Sequence, residues 1–438
     1  MNIKEIKDHL EKVQSISSKN EKIEYLSQFV GNKDMEKVLN FLYNDMITTG
    51  LQLKKLDKEV KGTEQVALFT DLEEVLDFLP LNNTGTDGII ASVQDFIGRF
   101  SIAEQPFLKL LVTKSFKSGA TANSINKAFG YDFIPQFKVQ LAASYEKFAD
   151  KVNGEFFLTQ KLDGHRVVAL YEDGRLTFRT RTGKEILGLN EISKTFMSLF
   201  EKLEVNNIVF DGEVIINTAD TDPTNAFNNT SKVIRSLGDK EDLVFHVFDM
   251  VPLNEFRNGK STQTYRERRI ALDAIFESNK DLEHIVLVPT LYSGSDKDKI
   301  AEYLKVANEY QWEGLMYNVA EGPNSYYYTK RHKGLLKIKE FFSCDGIVED
   351  VFEGAGKYEG MLGGVLITFE DQIVRIGSGF TDEERVKYWE NPELIIGEVC
   401  EYQYFEKTEN QKGGTDLRFA TWKGNIRTDK TIDDVNYE

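Results

Sequence analysis

Apolar residues at Ile3, Ile6, Leu10 and Val13 fall at three- and four-residue steps, which places them on one face of a helix. The same spacing recurs from Met35 to Leu42 and from Leu72 to Phe78. It predicts an all-α segment over residues 1–128. The run Asn82-Asn83-Thr84-Gly85-Thr86-Asp87-Gly88 reads as a loop or turn. Lys114-Ser115-Phe116-Lys117-Ser118-Gly119-Ala120, followed by Ser124 and Lys127, predicts a helix–loop–helix element. Helix N-termini and lysines there suit phosphate contacts.

From Tyr131 onward the pattern turns to strands. Glu155 to Gln160, Arg166 to Tyr171 and Arg175 to Thr180 read as β, and Glu172-Asp173-Gly174 between the last two is a hairpin signal. Ile208 to Ile216 and Leu243 to Phe248 are apolar enough to be buried strands. Helices are predicted at Glu191 to Leu203 and Lys297 to Glu309, which makes residues 129–342 a mixed α+β segment. Residues 343–438 show short strands at Gly346 to Val351, Val365 to Phe369, Gln372 to Ile376, Gly397 to Phe405 and Leu417 to Trp422. One helix, Asp382 to Trp389, interrupts them. Five strands in a segment of this size predict an OB-fold β-barrel, a nucleic-acid platform.

The length, 438 residues, suits two or three domains, and 41% hydrophobic content supports buried cores. No apolar run reaches a membrane span, and Met-Asn-Ile-Lys-Glu is no signal peptide. Two cysteines, Cys344 and Cys400, point to a reducing, cytoplasmic setting and cannot form a four-cysteine zinc site. The net charge of −17 works against DNA binding overall. Its distribution is uneven. Lys109, Lys114, Lys117, Lys127 and Lys138 stand against Asp132 alone. Between Gln411 and Lys430 five basic residues face Asp416 and Asp429. Both stretches flank the central segment and are expected to touch DNA.

The chemistry starts in the hexad Lys161-Leu162-Asp163-Gly164-His165-Arg166, just after a predicted strand. A primary amine can attack the α-phosphorus of a nucleotide and hold it as a phosphoramidate. To attack, Lys161 must lose its proton. Burial and nearby cations such as Lys337, Lys339 and Arg166 promote that loss. The two lysines of Leu336-Lys337-Ile338-Lys339 alternate on a strand, so they share a face.

Further motifs follow in order: Phe210-Asp211-Gly212-Glu213-Val214, Val247-Phe248-Asp249-Met250, Glu313-Gly314-Leu315-Met316, Leu336-Lys337-Ile338-Lys339 and Arg427-Thr428-Asp429-Lys430. With the hexad, they resemble motifs I, III, IIIa, IV, V and VI of the covalent nucleotidyltransferases. That superfamily comprises DNA ligases, RNA ligases and mRNA capping enzymes. Within it the chain is similar to ATP-dependent DNA ligases of phage type. Gly360-Met361-Leu362-Gly363-Gly364, Val374-Arg375-Ile376-Gly377-Ser378-Gly379-Phe380-Thr381 and Arg418-Phe419-Ala420-Thr421-Trp422 match their OB domain. Ile134-Pro135-Gln136-Phe137 with Leu141-Ala142 resembles the start of their adenylation domain. The N-terminal region looks like the helical DNA-binding domain of T-even phage ligases.

The resemblance implies a helical DNA-binding domain, an ATP-grasp-like α+β nucleotidyltransferase domain and an OB-fold barrel. The implied activity is nick sealing in duplex DNA through a lysyl-AMP on Lys161 and a DNA-adenylate. ATP and Mg²⁺ (or Mn²⁺) are the implied cofactors. Glu213 would contact the ribose and a metal, and Glu313 a metal. Phe248 would stack on adenine, with Thr159 and Gln160 at its edge. Lys337 and Lys339 would face the α-phosphate. Arg166 and Arg181 would bind ribose or phosphate, Arg181 also the nick. Arg427 and Lys430 would cover the pyrophosphate. Lys114, Lys117 and Lys127 would hold DNA. The expected protein is a monomer without membrane attachment, acting in the cytoplasm, of a host cell if it is phage-encoded. The rival readings are an RNA ligase or capping guanylyltransferase, and a non-catalytic OB-fold binding protein.

Overall fold

The structure, a computed structural model, describes residues 1–57, 60, 63–217, 226–236, 238–321, 326, 331–370, 372–409, 414–430 and 435. Helices α1 (Ile3–Ser15), α2 (Lys19–Ser27), α3 (Lys33–Tyr43), α4 (Leu53–Leu56), α5 (Leu72–Leu81), α6 (Asp87–Gly98), α7 (Gln105–Val112) and α8 (Ala122–Phe129) come first. Local signals set their ends. Asn2 and Glu5 form a capping box on α1, Thr121 and Ser124 form one on α8, and Gly130 closes α8 in the left-handed conformation. The expected face of α1, Ile3, Ile6, Leu10 and Val13, is buried. It joins Leu39, Val75, Val93, Leu111 and Ile125 in one core that reaches Ile134. The predicted loop at Asn82–Gly88 is shorter than expected, because α6 already begins at Asp87.

The middle of the chain builds two sheets. Its elements are β1 (Ala142–Ser144), β2 (Phe156–Gln160), β3 (His165–Glu172), β4 (Arg175–Thr180), α9 (Asn190–Leu203), β5 (Ile208–Ile216), α10 (Ala226–Arg235) and β6 (Leu243–Pro252). They continue with α11 (Leu253–Asn258), α12 (Tyr265–Ser278), β7 (Ile285–Leu287), β8 (Thr290–Gly294), α13 (Asp298–Glu309), β9 (Leu315–Val319) and β10 (His332–Ile338). One sheet runs β1-β10-β9-β2-β8 and the other β4-β3-β5-β6-β7. The chain passes from the first sheet to the second between β2 and β3. The hexad is that crossing.

Each sheet buries one face. Phe156, Leu158, Leu315, Tyr317, Leu336 and Ile338 cover the back of the first sheet, with Ile300 and Ala307 of α13. Val167, Phe210, Val214 and Phe245 cover the back of the second, with Phe196 and Phe200 of α9 and Leu272 of α12. The β3–β4 hairpin turns through Asp173 and Gly174, at φ 46° and 82°, as the Asp-Gly pair requires.

The last segment holds β11 (Phe342–Glu353), β12 (Leu362–Phe369), β13 (Gln372–Ile376), α14 (Asp382–Glu390), β14 (Val399–Tyr404), β15 (Glu406–Glu409), β16 (Thr415–Arg418) and β17 (Thr421–Ile426). Two expectations are corrected here. The strand predicted over Leu417 to Trp422 is two strands, because Phe419 turns to φ 58° between them. The expected OB-fold barrel is, among the described residues, an open sheet of order β13-β12-β11-β14-β17 beside a separate β15-β16 pair. Its edges meet at one isolated bridge, Ser378 to Thr421. A Cβ at Gly379 would lie 2.2 Å from the Trp422 carbonyl oxygen, so glycine permits that approach.

Candidate active site

The unburied faces of the two sheets bound a cleft. On the first sheet, Thr159 of β2 lies opposite Met316 of β9, which lies opposite Lys337 of β10. Phe157, Asn318 and Leu335 form the next row. At the other end the Lys161 amide donates to the Gly314 carbonyl at 2.9 Å. Strand alternation sends these side chains away from the apolar back of the sheet. On the second sheet, Asp211 and Glu213 alternate with Phe210 and Val214 and so face inward. The cleft is lined by Thr159, Gln160, Lys161, Arg166, Arg181, Glu213, Phe248, Met316 and Asn318, among others.

Two glycines allow this closeness. A Cβ at Gly164 would lie 2.6 Å from the Val214 carbonyl and 2.9 Å from Glu213 Cγ. Glycine in the hexad therefore lets the crossing lie against β5. Gly314 has φ +130°, and its Cβ would lie 2.2 Å from the Ile338 carbonyl.

Charges are paired across the cleft. Glu313 accepts from Lys161 through one oxygen and from Lys339 through the other. Lys339 also lies over the Phe405 and Phe419 rings, at 4.5 and 4.4 Å. Burial lowers the pKa of both Lys337 and Lys339, and Lys161 adds to the effect on each. Burial raises Glu213 to about 7, against the pull of Lys161 and Arg166. Arg166 is held at three points. It donates to both Asp211 oxygens at 2.9 and 2.6 Å, and to the Gln140 carbonyl at 2.7 Å. Its guanidinium lies 5.3 Å from the Phe248 ring centre.

Two family models match this chain. One, described as ATP dependent DNA ligase domain, covers residues 136–339. The other, DNA ligase OB-like domain, covers residues 353–425. The chain belongs to the ATP-dependent DNA ligase family. DNA ligase 1 of Saccharomyces cerevisiae is 27% identical over 256 residues, 53% of this chain and 33% of that protein. The multifunctional non-homologous end joining protein LigD of Mycolicibacterium smegmatis is 24% identical over 341 residues, 70% of this chain and 40% of that protein. The chain thus spans less than half the length of these curated relatives. The solved structure called Pmar-Lig_PreS3 has the same fold, with a TM-score of 0.73 at 22% identity over 97% of this chain and 99% of that one.

The site residues expected of a DNA ligase are not all at the cleft. Arg427 and Lys430 both pair with the buried carboxylate of Asp345, on β11, and neither lines the cleft. Arg427 also pairs with Asp429 at 2.8 Å. The N-terminal lysines divide as well. Lys117 and Lys127 are exposed. Lys114 is turned inward and donates to the Asn44 and Ile47 carbonyls at 2.5 and 2.8 Å. Burial lowers its pKa to about 8. In this structure its ammonium is taken up by those backbone carbonyls, unlike Lys117 and Lys127. Lys109 pairs with Asp57 at 2.5 Å.

Sequence reasoning missed Asp211, Tyr326 and Arg418. Tyr326 donates to Asp211 at 2.7 Å and is buried, so it braces the carboxylate that holds Arg166. Arg418 donates to Asp163 at 2.7 and 2.9 Å and to Glu406 at 2.5 Å. Asp211 had a signal, an acid two residues before Glu213 inside an apolar strand. The partners of Asp163 and Tyr326 lie too far along the chain for any local pattern. Cys344 and Cys400 are buried free thiols. No helix among the described residues is long and apolar enough to cross a membrane.

Proposed function

We propose that this chain is a monomeric DNA ligase that seals nicks in duplex DNA. The observation that carries the reading is the ion-paired cluster Lys161–Glu313–Lys339 at the crossing between two sheets, from which Lys161 lines a cleft together with Glu213, Arg166 and Phe248. The Lys161 amine attacks the α-phosphorus of ATP. A P–N bond forms, the bridging P–O bond breaks and pyrophosphate leaves. Lys337 and Lys339 stabilise charge on the α-phosphate, and positioning with electrostatics supplies most of the catalysis. The 5′-phosphate of the nick then takes AMP from Lys161. Last, the 3′-hydroxyl attacks that phosphate and AMP departs.

Glu213 and Glu313 fit a hard divalent cation. Both are carboxylates beside Lys161, close enough for each other's charge to matter. Among the described residues no group of three or more His, Cys, Asp or Glu side chains could hold a metal. That suits Mg²⁺ (or Mn²⁺), which takes one or two carboxylates and keeps its waters. When bound, the ion would neutralise phosphate charge and compete with Lys161 for Glu313. Residues 1–128 are read as a helical DNA-binding domain, 129–342 as the adenylation domain and 343–438 as the OB-fold domain, with a pivot near Phe342. Lys117, Lys127 and Arg181 are the proposed DNA contacts. Thr159, Gln160, Phe248, Glu213 and Arg166 surround the nucleoside, and Arg427 and Lys430 reach the pyrophosphate only after the OB-like part turns.

The test is the intact mass of the protein after incubation with ATP, GTP or NAD, followed by nicked DNA or nicked RNA. The reading expects one AMP adduct from ATP, none in Lys161→Ala, and sealing of nicked DNA. An adduct from GTP would indicate a capping enzyme. No adduct at all would leave a nucleic-acid-binding module.

A further inference from the structure

We propose that Asn318 is the residue that selects adenine, by pairing its carboxamide with the amino group and ring nitrogen on one edge of the base. The proposal rests on the ligase reading above, since it assumes that a purine nucleotide occupies the cleft.

Asn318 is on β9, whose alternate residues Leu315 and Tyr317 are fixed in the core behind the sheet. Met316 and Asn318 therefore face the cleft, and both line it. The Asn318 row lies two steps from the row of Lys161, or roughly 13 Å along the strand at about 3.4 Å per residue. That is the base end of a nucleotide attached to Lys161, not the phosphate end. Its surroundings agree. Phe157 stands opposite Asn318 on β2 and packs edge-on against Tyr265, with ring centres 5.4 Å apart. Leu335 stands opposite it on β10. Phe248, Val288 and Tyr265 complete a mostly apolar end of the cleft.

In that setting Asn318 is a buried amide, 8% exposed. Among the described residues its side chain has no hydrogen-bond partner. Asp249, a carboxylate of the same lining, is committed through both oxygens to Arg268, at 2.7 Å each. The Asn318 amide opens onto the cleft, so a ligand there, rather than the protein, is what would complete its hydrogen bonds. A ligand edge with one donor and one acceptor would complete it. Adenine presents a 6-amino donor beside the N7 acceptor, the pattern that an Asn carboxamide reads with two bonds. Guanine presents two acceptors, O6 and N7, on the same edge, so one of them would meet the Asn carbonyl. The stem of the cleft thus recognises phosphate and ribose, and Asn318 distinguishes the base.

The test uses the full chain and α,β-methylene triphosphates of adenosine, guanosine and purine riboside, the last lacking the 6-amino group. Equilibrium dissociation constants are measured by calorimetry for the wild type, Asn318→Leu, Asn318→Asp and Thr159→Val. The wild type should bind the adenosine compound roughly 10- to 100-fold more tightly than the purine riboside compound. Asn318→Leu should bring that ratio close to one. Asn318→Asp should keep part of it, since its oxygen still accepts from the 6-amino group. An unchanged ratio in Asn318→Leu overturns the proposal, as does a fall confined to Thr159→Val. If Asn318→Leu does not fold, a wild type indifferent to the 6-amino group overturns it equally. Failure of the wild type to gain an AMP adduct from ATP would instead overturn the ligase reading. Base selectivity that depends on Asn318 would survive that result.

Discussion

The Arg418 guanidinium grips the Asp163 carboxylate at two points, 2.7 and 2.9 Å, and so ties the OB-like part to the hexad that holds Lys161. The same guanidinium reaches Glu406 and lies 5.5 Å from the Phe227 ring centre. Meanwhile Arg427 and Lys430 are held by Asp345. One basic group of the OB-like part is therefore engaged at the hexad while another is held within the OB-like part, by Asp345 on β11. Arg418→Ala should slow sealing of pre-adenylylated nicked DNA by about tenfold, the loss of a largely buried two-point ion pair. Arg418→Lys should recover only part, because an ammonium cannot make the planar two-point contact. Single-turnover sealing checks this. Equal rates for the alanine variant and the wild type would sink it.

Arg427→Ala addresses the other group. It should block adduct formation from ATP yet spare sealing of nicked DNA that already carries a 5′-adenylate, because no pyrophosphate leaves in that step. Lys337→Ala should impair both reactions, since the proposed mechanism sets Lys337 against the α-phosphate in every step. If Arg427→Ala fails on the pre-adenylylated substrate as badly as with ATP, rotation of the OB-like part loses its support.

The lysines of the N-terminal part should separate by orientation. Lys117→Ala and Lys127→Ala should each reduce the salt slope of nick binding by ~0.9 and leave adduct formation unaltered. Lys114→Ala should leave the slope alone. It should instead lower stability by about 1–3 kcal/mol, because the Asn44 and Ile47 carbonyls lose their donor. Binding titrations across salt concentrations, with urea denaturation of each variant, decide the matter. A reduced slope in Lys114→Ala would return that residue to the DNA surface.

Glu213 predicts a pH dependence. Burial raises its folded pKa from the ordinary 4.5 to about 7. Between those values the folded protein holds a proton that the unfolded chain has released. The contribution of this group to stability is therefore complete below pH 4.5 and is lost as pH rises through 7. Glu213→Gln, which stays neutral, should become progressively more stable than the wild type across that window. The gap should level off above it. Thermal melts of the two proteins from pH 5 to pH 8 would show curves that diverge. Parallel curves would mean that Glu213 ionises normally.

Periodicity and local chemistry were enough for the elements and for much of the cleft. The step of Ile3, Ile6, Leu10 and Val13 fixed a helix because only a helix puts all four on one face. Alternation around Lys337 and Lys339 fixed their shared direction for the same reason. The hexad and the later motifs carried the family, since each needs its residues within one strand or turn. What the chain could not show locally was pairing at a distance. Asp163 meets Arg418 from 255 positions away, and Asp211 meets Tyr326 from 115 away. Lys114 looks like Lys117 in sequence, yet its ammonium meets the Asn44 and Ile47 carbonyls about 70 positions away. The division of the last predicted strand depended on Phe419, a residue whose positive φ no side-chain preference announces. Tertiary packing decided these points, because burial and ion pairing depend on which surfaces meet, and one strand's pattern specifies only its own two faces.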